Sequence, residues 1–281
     1  KQIKQYQIYC VNRDIKQKEN PFMLKGERLY NMAEYIDDKK VVTIMELCDH
    51  FKVSKATVNR DLRMLEKEKF ITRTHGGAMS LTRGTRFEPI YEIKEKEKID
   101  EKQAIGAYAV NFIKQGETIL LDSGTTTLLL ARQMKDLNNI TVITNDLMIA
   151  YVLSEANGID LVVLGGQHRK GVYSLIGPFT ENILKELNVD KAFLGADAID
   201  VDRGITNSNI EESNIKKSIV EISKEVIVLA DSSKFGNVAF TKVCDIDSVD
   251  VIVTDFNISE KELSKFRNTN VKIYIAEKKS V

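Results

Sequence analysis

The sequence predicts a small winged helix-turn-helix domain over residues 23–80 and a larger α/β domain with a mainly parallel sheet over residues 103–281. Two observations lead to this prediction. The first part has three short runs with apolar residues at helical spacing, followed by a strand and a Gly-Gly turn. The second part has seven apolar strand runs separated by helical patterns, and strands buried on both faces with helices between them form parallel sheets.

Two further stretches separate or precede these domains. Residues 1–22 are polar and without pattern, and we expect them to be a flexible extension before Met23, with a genuine basic arm as the alternative. Residues 81–102 are rich in charge, including K-E-K-E-K at 94–98. Such a charge run is typical of a solvated segment, so it predicts a linker with an exposed helix.

Composition narrows the class of protein. The 281 residues are 43% hydrophobic and 29% charged, as in ordinary globular proteins. There is no apolar run of about 20 residues and no secretory h-region, which predicts no membrane association. Three dispersed cysteines, Cys10, Cys48 and Cys244, and three histidines indicate neither a disulfide framework nor a zinc site. We therefore expect a cytoplasmic protein without a metal or cofactor.

The net charge of zero conceals an asymmetry between the two parts of the chain. Residues 1–80 contain 16 Lys and Arg against 11 Asp and Glu, whereas residues 81–281 contain 25 against 30. This asymmetry suits a protein whose basic first domain binds an anionic polymer and whose mildly acidic second domain has another task. Solvated faces alone can also produce such an imbalance.

The first domain shows the start signals of two helices. Thr43 and Glu46 have capping-box spacing, and Ser54 is a good N-cap for the next helix. A strand over 70–74 follows and leads into the Gly76-Gly77 turn. The apolar residues predicted to face the core of this domain are Leu29, Met32, Ala33, Ile36, Ile44, Leu47, Cys48, Phe51, Val58, Leu62 and Leu65.

The third helix of this domain carries a polar face suited to DNA. Residues near the N-terminus of such a helix reach base edges in the major groove, while Lys and Arg neutralise phosphates. The hairpin that follows is a candidate wing against the DNA backbone. A three-helix bundle with a solvated charged face is the alternative. The candidate DNA-binding residues are Thr43, Ser54, Lys55, Thr57, Asn59, Arg60, Arg63, Arg73 and His75.

In the second domain, the sharpest motif is D-S-G-T-T-T at 122–127, between a strand and a helix expected to begin near Leu128. We expect Gly124 to permit the unusual dihedral angles of a tight turn. Hydroxyls and free backbone N–H groups at a helix N-terminus form an anion site, for which phosphate is the natural occupant. A well-capped helix without a ligand is the alternative reading of this motif alone.

Small or polar residues follow several other predicted strands, and ligands bind at the carboxyl ends of strands in open α/β sheets. Lys234 could meet the charge of a phosphate, and the carboxylates and the amide could bind sugar hydroxyls. The candidate effector-binding residues are Asp122, Ser123, Gly124, Thr125, Thr126, Thr127, Asn145, Gly165, Gly166, Asp197, Glu211, Asp231 and Lys234.

The string S-K-A-T-V-N-R-D-L-R-M-L-E-K-E-K-F-I-T-R-T-H-G-G-A, from Ser54 to Ala78, closely resembles the signature of the DeoR family of bacterial regulators. Asn59 departs from it, since many members carry a second arginine there. The motif order over residues 82–255 resembles the DeoR sensor domain, which implies a fold like ribose-5-phosphate isomerase and CoA transferases. The resemblance also implies a phosphosugar pocket lined by residues 122–127, Asn145, Gly165, Gly166, Asp197, Glu211 and Lys234.

An enzyme, such as a sugar-phosphate isomerase or an acyl transferase, is the alternative function. Asp197, Glu211 and Lys234 offer acid–base chemistry, but Leu194 stands where the similar isomerase motif has an acidic residue. There is no G-x-G-x-x-G opening for a dinucleotide. The sequence thus predicts a non-catalytic regulator, most simply a repressor, of a sugar-metabolism operon. A phosphorylated sugar would control binding of a homodimer or homotetramer to a two-fold operator in double-stranded DNA.

Overall fold

The computed structural model describes residues 25–81, 84–86, 88–89 and 91–278. The extension predicted over residues 1–22 lies outside these ranges. Contacts divide the chain into two compact units, with the boundary after Leu81. No helix in the described part of the chain is long and apolar enough to span a bilayer.

The first unit consists of three helices and a small sheet. The three strands form an antiparallel sheet in the order β1-β3-β2. The elements are α1 (Lys25–Lys39), β1 (Val41–Thr43), α2 (Ile44–Phe51), α3 (Lys55–Lys67), β2 (Ile71–Thr74) and β3 (Gly77–Ser80). This arrangement confirms the predicted winged helix-turn-helix fold and adds β1, a strand too short to be recognised in the sequence.

The helix starts in this unit follow from side-chain caps. The Thr43 hydroxyl accepts from the Glu46 amide and the Glu46 carboxylate accepts from the Thr43 amide, which forms the predicted capping box. Ser54 caps α3 by accepting from the Thr57 amide. Gly77 is required in the hairpin because a Cβ there would overlap the carbonyl oxygen of Val42 on β1.

The predicted apolar faces of the three helices form the core of the first unit, except that Cys48 is only half-buried. One charged group is also enclosed: the Asp61 side chain of α3 has no exposed surface. Arg28 of α1 forms an ion pair with it, with Nε 2.6 Å from Oδ2. A second bond joins Arg28 Nη2 to Oδ1 at 3.4 Å. This pairing compensates for the desolvation of the carboxylate and fixes α1 against α3.

The second unit is built around one large sheet. Its helices are α4 (Tyr91–Lys96), α5 (Ile99–Ala109), α6 (Thr125–Gln133), α7 (Leu147–Leu153), α8 (Pro178–Lys185), α9 (Ile210–Glu221) and α10 (Glu260–Lys265). The strands of the large sheet are β4 (Thr118–Leu121), β5 (Ile140–Thr144), β6 (Ile159–Val163), β9 (Val189–Gly195), β12 (Ser223–Leu229), β14 (Val251–Asp255) and β15 (Lys272–Ala276). The smaller strands are β7 (Gln167–His168), β8 (Leu175–Ile176), β10 (Ala198–Asp200), β11 (Gly204–Asn207) and β13 (Thr241–Cys244).

The large sheet is parallel throughout, in the order β15-β14-β12-β9-β4-β5-β6. Each of the seven predicted apolar runs is one of its strands, so the predicted α/β fold class is confirmed. Two buried apolar clusters cover the sheet, one containing Leu120 and Val228 and the other containing Ile119 and Ile227. Because neighbouring residues of one strand enter different clusters, the sheet is buried on both faces, as expected from near-continuous apolar strands.

Residues 91–102, predicted to be part of a linker, lie within the second unit on α4, in the turn at 97–98 and in the first turn of α5. α5 packs against α6 and β14. Its buried residues include Lys102 and Ile105, and the small Gly106 lies against the backbone of Leu129 and Leu130. The charge run therefore belongs to helices that also carry buried residues, which its composition did not indicate.

Candidate functional site

The helix α3 presents its predicted DNA-reading residues on an exposed face. Lys55, Arg60 and Arg63 are exposed, while Thr57 and Asn59 are half-buried. The opposite face places Val58 and Leu62 in the core. Side chains with long positive ends therefore project from the first three turns of a helix whose opposite face is packed in the core. This is the arrangement that major-groove readers use.

The half-buried Asn59 connects the helix to the hairpin. Its side-chain carbonyl accepts from Arg73 Nη2 at 2.9 Å, and its amide donates to the Lys55 carbonyl at 2.8 Å. Arg73 lies on β2, so the guanidinium is held beside the first turns of α3. Its Nε is buried without a hydrogen-bond partner in the structure. Asn59 thus orients a second positive group next to the exposed face.

The remaining predicted residues of this set lie at the ends of elements. The hydroxyls of Ser54 and Thr57 form a hydrogen bond of 3.0 Å at the start of α3. Thr43 is exposed at the start of α2, and His75 is exposed in the turn between β2 and β3. These residues lie at the N-termini of two helices and at the tip of the hairpin, which are positions suited to contacts with the phosphates of DNA.

In the second unit, a cleft lies at the carboxyl ends of the three adjacent strands β12, β9 and β4. Four lysines and three carboxylates line it, together with hydroxyl, amide and backbone groups. The lining residues are Lys94, Lys102, Ser123, Gly124, Thr125, Thr126, Gly195, Ala196, Asp197, Asn207, Glu212, Lys216, Leu229, Ala230, Asp231 and Lys234. A density of charge this high at strand ends suits a small polar anion with hydroxyl groups.

Residues 123–126 of the D-S-G-T-T-T motif form one wall of the cleft, but two details differ from the sequence-based expectation. The helix α6 begins at Thr125, not near Leu128. Gly124 has a φ of 169°, which is extended backbone open to any residue, so no unusual dihedral angle requires glycine. The Thr127 hydroxyl donates to the Gly124 carbonyl and is fully buried. The amides of the first turn have no acceptor within the helix and are free to bind an anion.

Asp122 lies behind this wall and does not line the cleft. Its Oδ2 accepts from the amide of Gly195 at 3.0 Å and from Lys216 Nζ. Lys216, on α9, also donates to the Gly195 carbonyl at 3.0 Å. Both side chains are almost fully buried. The pair therefore joins the ends of β4 and β9 to α9 and places a lysine in the floor of the cleft.

Asp197 uses both of its carboxylate oxygens. Oδ1 lies 2.8 Å from Nζ of Lys94, while Oδ2 accepts from the amide and the hydroxyl of Ser208. Burial by itself would raise the pKa of Asp197, but Lys94 and Ser208 outweigh it and hold the pKa well below its usual range. For Lys94, the carboxylates of Asp197, Glu88 and Glu212 outweigh burial and raise the pKa.

Lys102 differs from the other lysines of the cleft. Its Nζ donates to the backbone carbonyl of Lys94. Within the described residues no ion pair joins it to a carboxylate, whereas Lys234 lies 3.8 Å from Asp231. Burial of Lys102 lowers its pKa to about 8, against a partly compensating attraction to Asp231. Lys102 is thus a poorly compensated positive group at the cleft.

Besides Asp122 and Thr127, four further predicted effector residues do not line the cleft. Asn145 donates to the Leu175 carbonyl, and its own side-chain oxygen is buried without a partner. The Gly165 carbonyl accepts from Thr180, and a Cβ on Gly166 would overlap the Thr180 hydroxyl, so both glycines serve the packing of α8. The fourth residue, Glu211, is exposed on α9 and lies outside the cleft.

Strand order explains the position of three of these residues. β5 and β6 lie beyond β4, and each strand adds about 4.8 Å across a sheet. Asn145 and the two glycines therefore fall one and two strands away from the cleft. For α9, a step of one residue turns the side chain by about 100°. Glu212 faces the cleft for this reason, and Glu211 does not.

Sequence reasoning missed five polar lining residues: Lys94, Lys102, Asn207, Glu212 and Lys216. Lys94 and Lys102 were hidden in the charge run that was interpreted as a linker. A usable signal existed for Lys216, since Ser213, Ser218 and the apolar Ile215 and Ile219 mark the same helix as largely buried. A lysine within such a stretch requires a partner.

A basic winged helix-turn-helix joined to an α/β unit with a charged cleft defines the class of ligand-responsive transcriptional regulators. The DeoR-like helix-turn-helix domain matches residues 28–83, and the DeoR C terminal sensor domain matches residues 97–256. The chain belongs to the DeoR family of transcriptional regulators.

Relatives extend over most of the chain. The transcriptional regulator GlpR of Haloferax volcanii is 33% identical over 89% of this chain and 98% of its own length. The transcriptional repressor AccR of Agrobacterium fabrum is 37% identical over 82% of this chain and 89% of its own. Ribose 5-phosphate isomerase A of Methanocaldococcus jannaschii matches 49% of this chain and 55% of its own with 22% identity and a TM-score of 0.36, too low to support a functional conclusion.

Proposed function

We propose that this DeoR-family regulator represses an operon of carbohydrate metabolism. A phosphorylated sugar, bound in the cleft of the second unit, would control its affinity for the operator. The single observation that carries the effector half is Lys102, a buried lysine without a carboxylate partner among the described residues, in the same cleft as the N-terminus of α6. Repression is favoured by the relative AccR, which is a transcriptional repressor.

The phosphate of the effector would bind between Lys102 and residues 123–126. Backbone amides at a helix N-terminus and a lysine together suit a phosphate, which carries close to two negative charges near pH 7. Such a charge would favour the protonated form of Lys102 and so reverse the effect of burial. Binding would thereby give the buried Lys102 the negative partner that it lacks in the empty site.

The sugar hydroxyls would bind at the other polar groups of the cleft. Asp197, Glu212 and Asn207 offer carboxylate and amide groups, and Asn207 Nδ2 lies 3.4 Å from Glu212 Oε2. Carboxylates accept from hydroxyls, and an amide can both donate and accept. A site of this kind distinguishes polyols by the position of their hydroxyl groups.

We propose binding without turnover. Proton abstraction next to a carbonyl needs a base with a pKa near the working pH. Asp197 is held far below that range by Lys94 and Ser208, and the two bonds from Ser208 do not depend on Lys94. Leu194, where the similar isomerase motif has an acid, is fully buried in the core. Incubation with sugar phosphates should therefore leave them unchanged, as followed by ³¹P NMR.

The DNA half of the proposal places α3 in the major groove, with the β2–β3 hairpin against the backbone. Two copies would read the two halves of a symmetric operator, since a single helix-turn-helix covers one half-site. We expect this action in the cytoplasm, where the target DNA is accessible.

The test is a thermal-shift screen of the full chain with triose, pentose and hexose phosphates, each paired with its unphosphorylated sugar. At 100 times Kd a ligand stabilises the folded state by about 2.7 kcal/mol, which amounts to several degrees. A phosphorylated member should raise Tm and change the affinity for a duplex selected from random sequences by the protein. Equal shifts with the unphosphorylated partners, or no change in DNA affinity, would contradict the proposal.

A further inference from the structure

The connecting segment, residues 88–98 at the start of the second unit, contributes Lys94 to the lining of the cleft. Six residues separate Leu81, the last residue of the first unit, from Glu88. Within the segment, Lys94 on α4 pairs with Asp197 at 2.8 Å and lies 3.9 Å from Glu88. Its backbone carbonyl accepts from Lys102. The segment is therefore fixed to the cleft through both side chain and backbone.

A second attachment of the segment is made by Glu88. The Arg169 guanidinium donates to both carboxylate oxygens of Glu88 and, at 3.0 Å, to Glu212 Oε1. Glu212 also accepts from Ser174 at 2.9 Å. Arg169 thus connects the segment with a residue that lines the cleft. Both groups are shielded from solvent, with exposed fractions of 16% for Arg169 and 12% for Glu88, so salt screens the pair only weakly.

The interior of the cleft is small in this state and admits water over about 30 Å³. A triose phosphate has roughly ten non-hydrogen atoms, each about the size of a water molecule. Lys94 lines the cleft and is bonded to Oδ1 of Asp197, so a sugar hydroxyl can bind this oxygen only after Lys94 has moved. Entry of the ligand would separate Lys94 from Asp197, and hydroxyls of the sugar would take the place of Lys94 at this carboxylate.

We propose that the ion pairs Lys94–Asp197 and Arg169–Glu88 are a latch that holds the connecting segment closed over the empty cleft, and that an entering sugar phosphate opens this latch. The proposal rests on the proposed function, because it takes the cleft as the effector site. The latch would couple effector binding to the chain segment that continues directly into the DNA-binding unit. A ligand shifts an equilibrium only by its different affinity for the two states. Asp197 and Glu212 are bonded to Lys94 and Arg169 in the closed state and become available to sugar hydroxyls in the open state, which supplies that difference.

The first test needs no ligand. Hydrogen–deuterium exchange of the full chain is compared for wild type, Lys94→Gln and the matched control Lys96→Gln, an exposed lysine of the same helix. Exchange in peptides that cover residues 88–98 should be at least tenfold faster in Lys94→Gln and unchanged in Lys96→Gln. Equal exchange in the two variants overturns the proposal. If Lys94→Gln does not fold, Arg169→Gln with the exposed neighbour Lys170→Gln as control decides in the same way.

The second test uses the sugar phosphate that gives the largest Tm increase in the thermal-shift screen. If Lys94 is a latch, Lys94→Gln should bind this compound several-fold more tightly, because no ion pair has to be broken. Its operator affinity without ligand should approach that of the wild type saturated with the compound. Weaker or equal binding overturns the latch. If no sugar phosphate shifts Tm, the proposed function fails while the ligand-free exchange test still decides whether the ion pairs hold the segment.

Discussion

The side-chain oxygen of Asn59 on α3 accepts a hydrogen bond of 2.9 Å from the guanidinium of Arg73 on β2. The asparagine that departs from the family signature therefore orients an arginine of the adjacent hairpin. A positive group is retained beside α3, but it comes from β2 and not from the helix itself. The pair thus joins the two elements that we propose to contact DNA.

Replacement of Asn59 by alanine should weaken operator binding about tenfold or more, because the Arg73 guanidinium loses the acceptor that orients it. A hydrogen bond to a charged group contributes about 1.5 kcal/mol or more, which corresponds to a factor of this size. Fluorescence anisotropy with a labelled operator measures the effect. Thr72→Ala, at an exposed position on the same strand, is the control. Wild-type affinity in Asn59→Ala would show that the contact has no part in DNA binding.

Arg60→Ala should also lower operator affinity, but with a different salt dependence. Loss of one phosphate contact reduces the slope of log affinity against log salt by about 1. If Arg60 reads a base edge instead, the slope stays nearly constant and the preference at one operator position is lost. The exposed Lys67, in the last turn of α3, serves as control through Lys67→Gln. Unchanged affinity in Arg60→Ala would remove this residue from the DNA-binding face.

Lys216→Met should destabilise the second unit by about 3 kcal/mol, because it leaves the buried Asp122 carboxylate without its charged partner. Lys217→Met, the adjacent exposed position, should change stability by less than about 0.5 kcal/mol. Urea unfolding followed by circular dichroism measures both. Similar stability of the two variants would contradict the role that we assign to the Lys216–Asp122 pair.

Binding of the sugar phosphate should depend on pH through Lys102. Its pKa in the free protein is lowered to about 8 by burial, and a bound phosphate would raise it again. The complex then holds a proton that the free protein loses above pH 8. Affinity is therefore greatest below pH 8 and falls by up to tenfold per pH unit above it, until the pKa of the complex is reached.

Isothermal titration calorimetry at pH 7.0 and 9.5 tests this dependence. Lys102→Arg is the matched variant, because a guanidinium stays protonated over this range and should give nearly constant affinity. An equal fall in wild type and Lys102→Arg would assign the pH dependence to another group. The second phosphate pKa, about 6, lies below both conditions and does not contribute.

The sequence by itself determined the elements of this protein. Seven apolar runs became seven strands, and caps such as Thr43 and Ser54 fixed where helices begin, because these features depend on residues close together in the chain. It also determined the family, through one contiguous string in the first unit and an ordered set of motifs in the second.

Only the tertiary structure decided which strand ends meet. The order β12-β9-β4-β5-β6 brings Ser123, Asp197 and Lys234 to one cleft and leaves Asn145 and Gly165 outside it. Pairing of strands depends on contacts between distant parts of the chain, which local periodicity does not contain. The same reason applies to Lys94: its partner Asp197 lies 103 positions further along the sequence, so only the folded chain shows that a residue of the predicted linker lines the cleft.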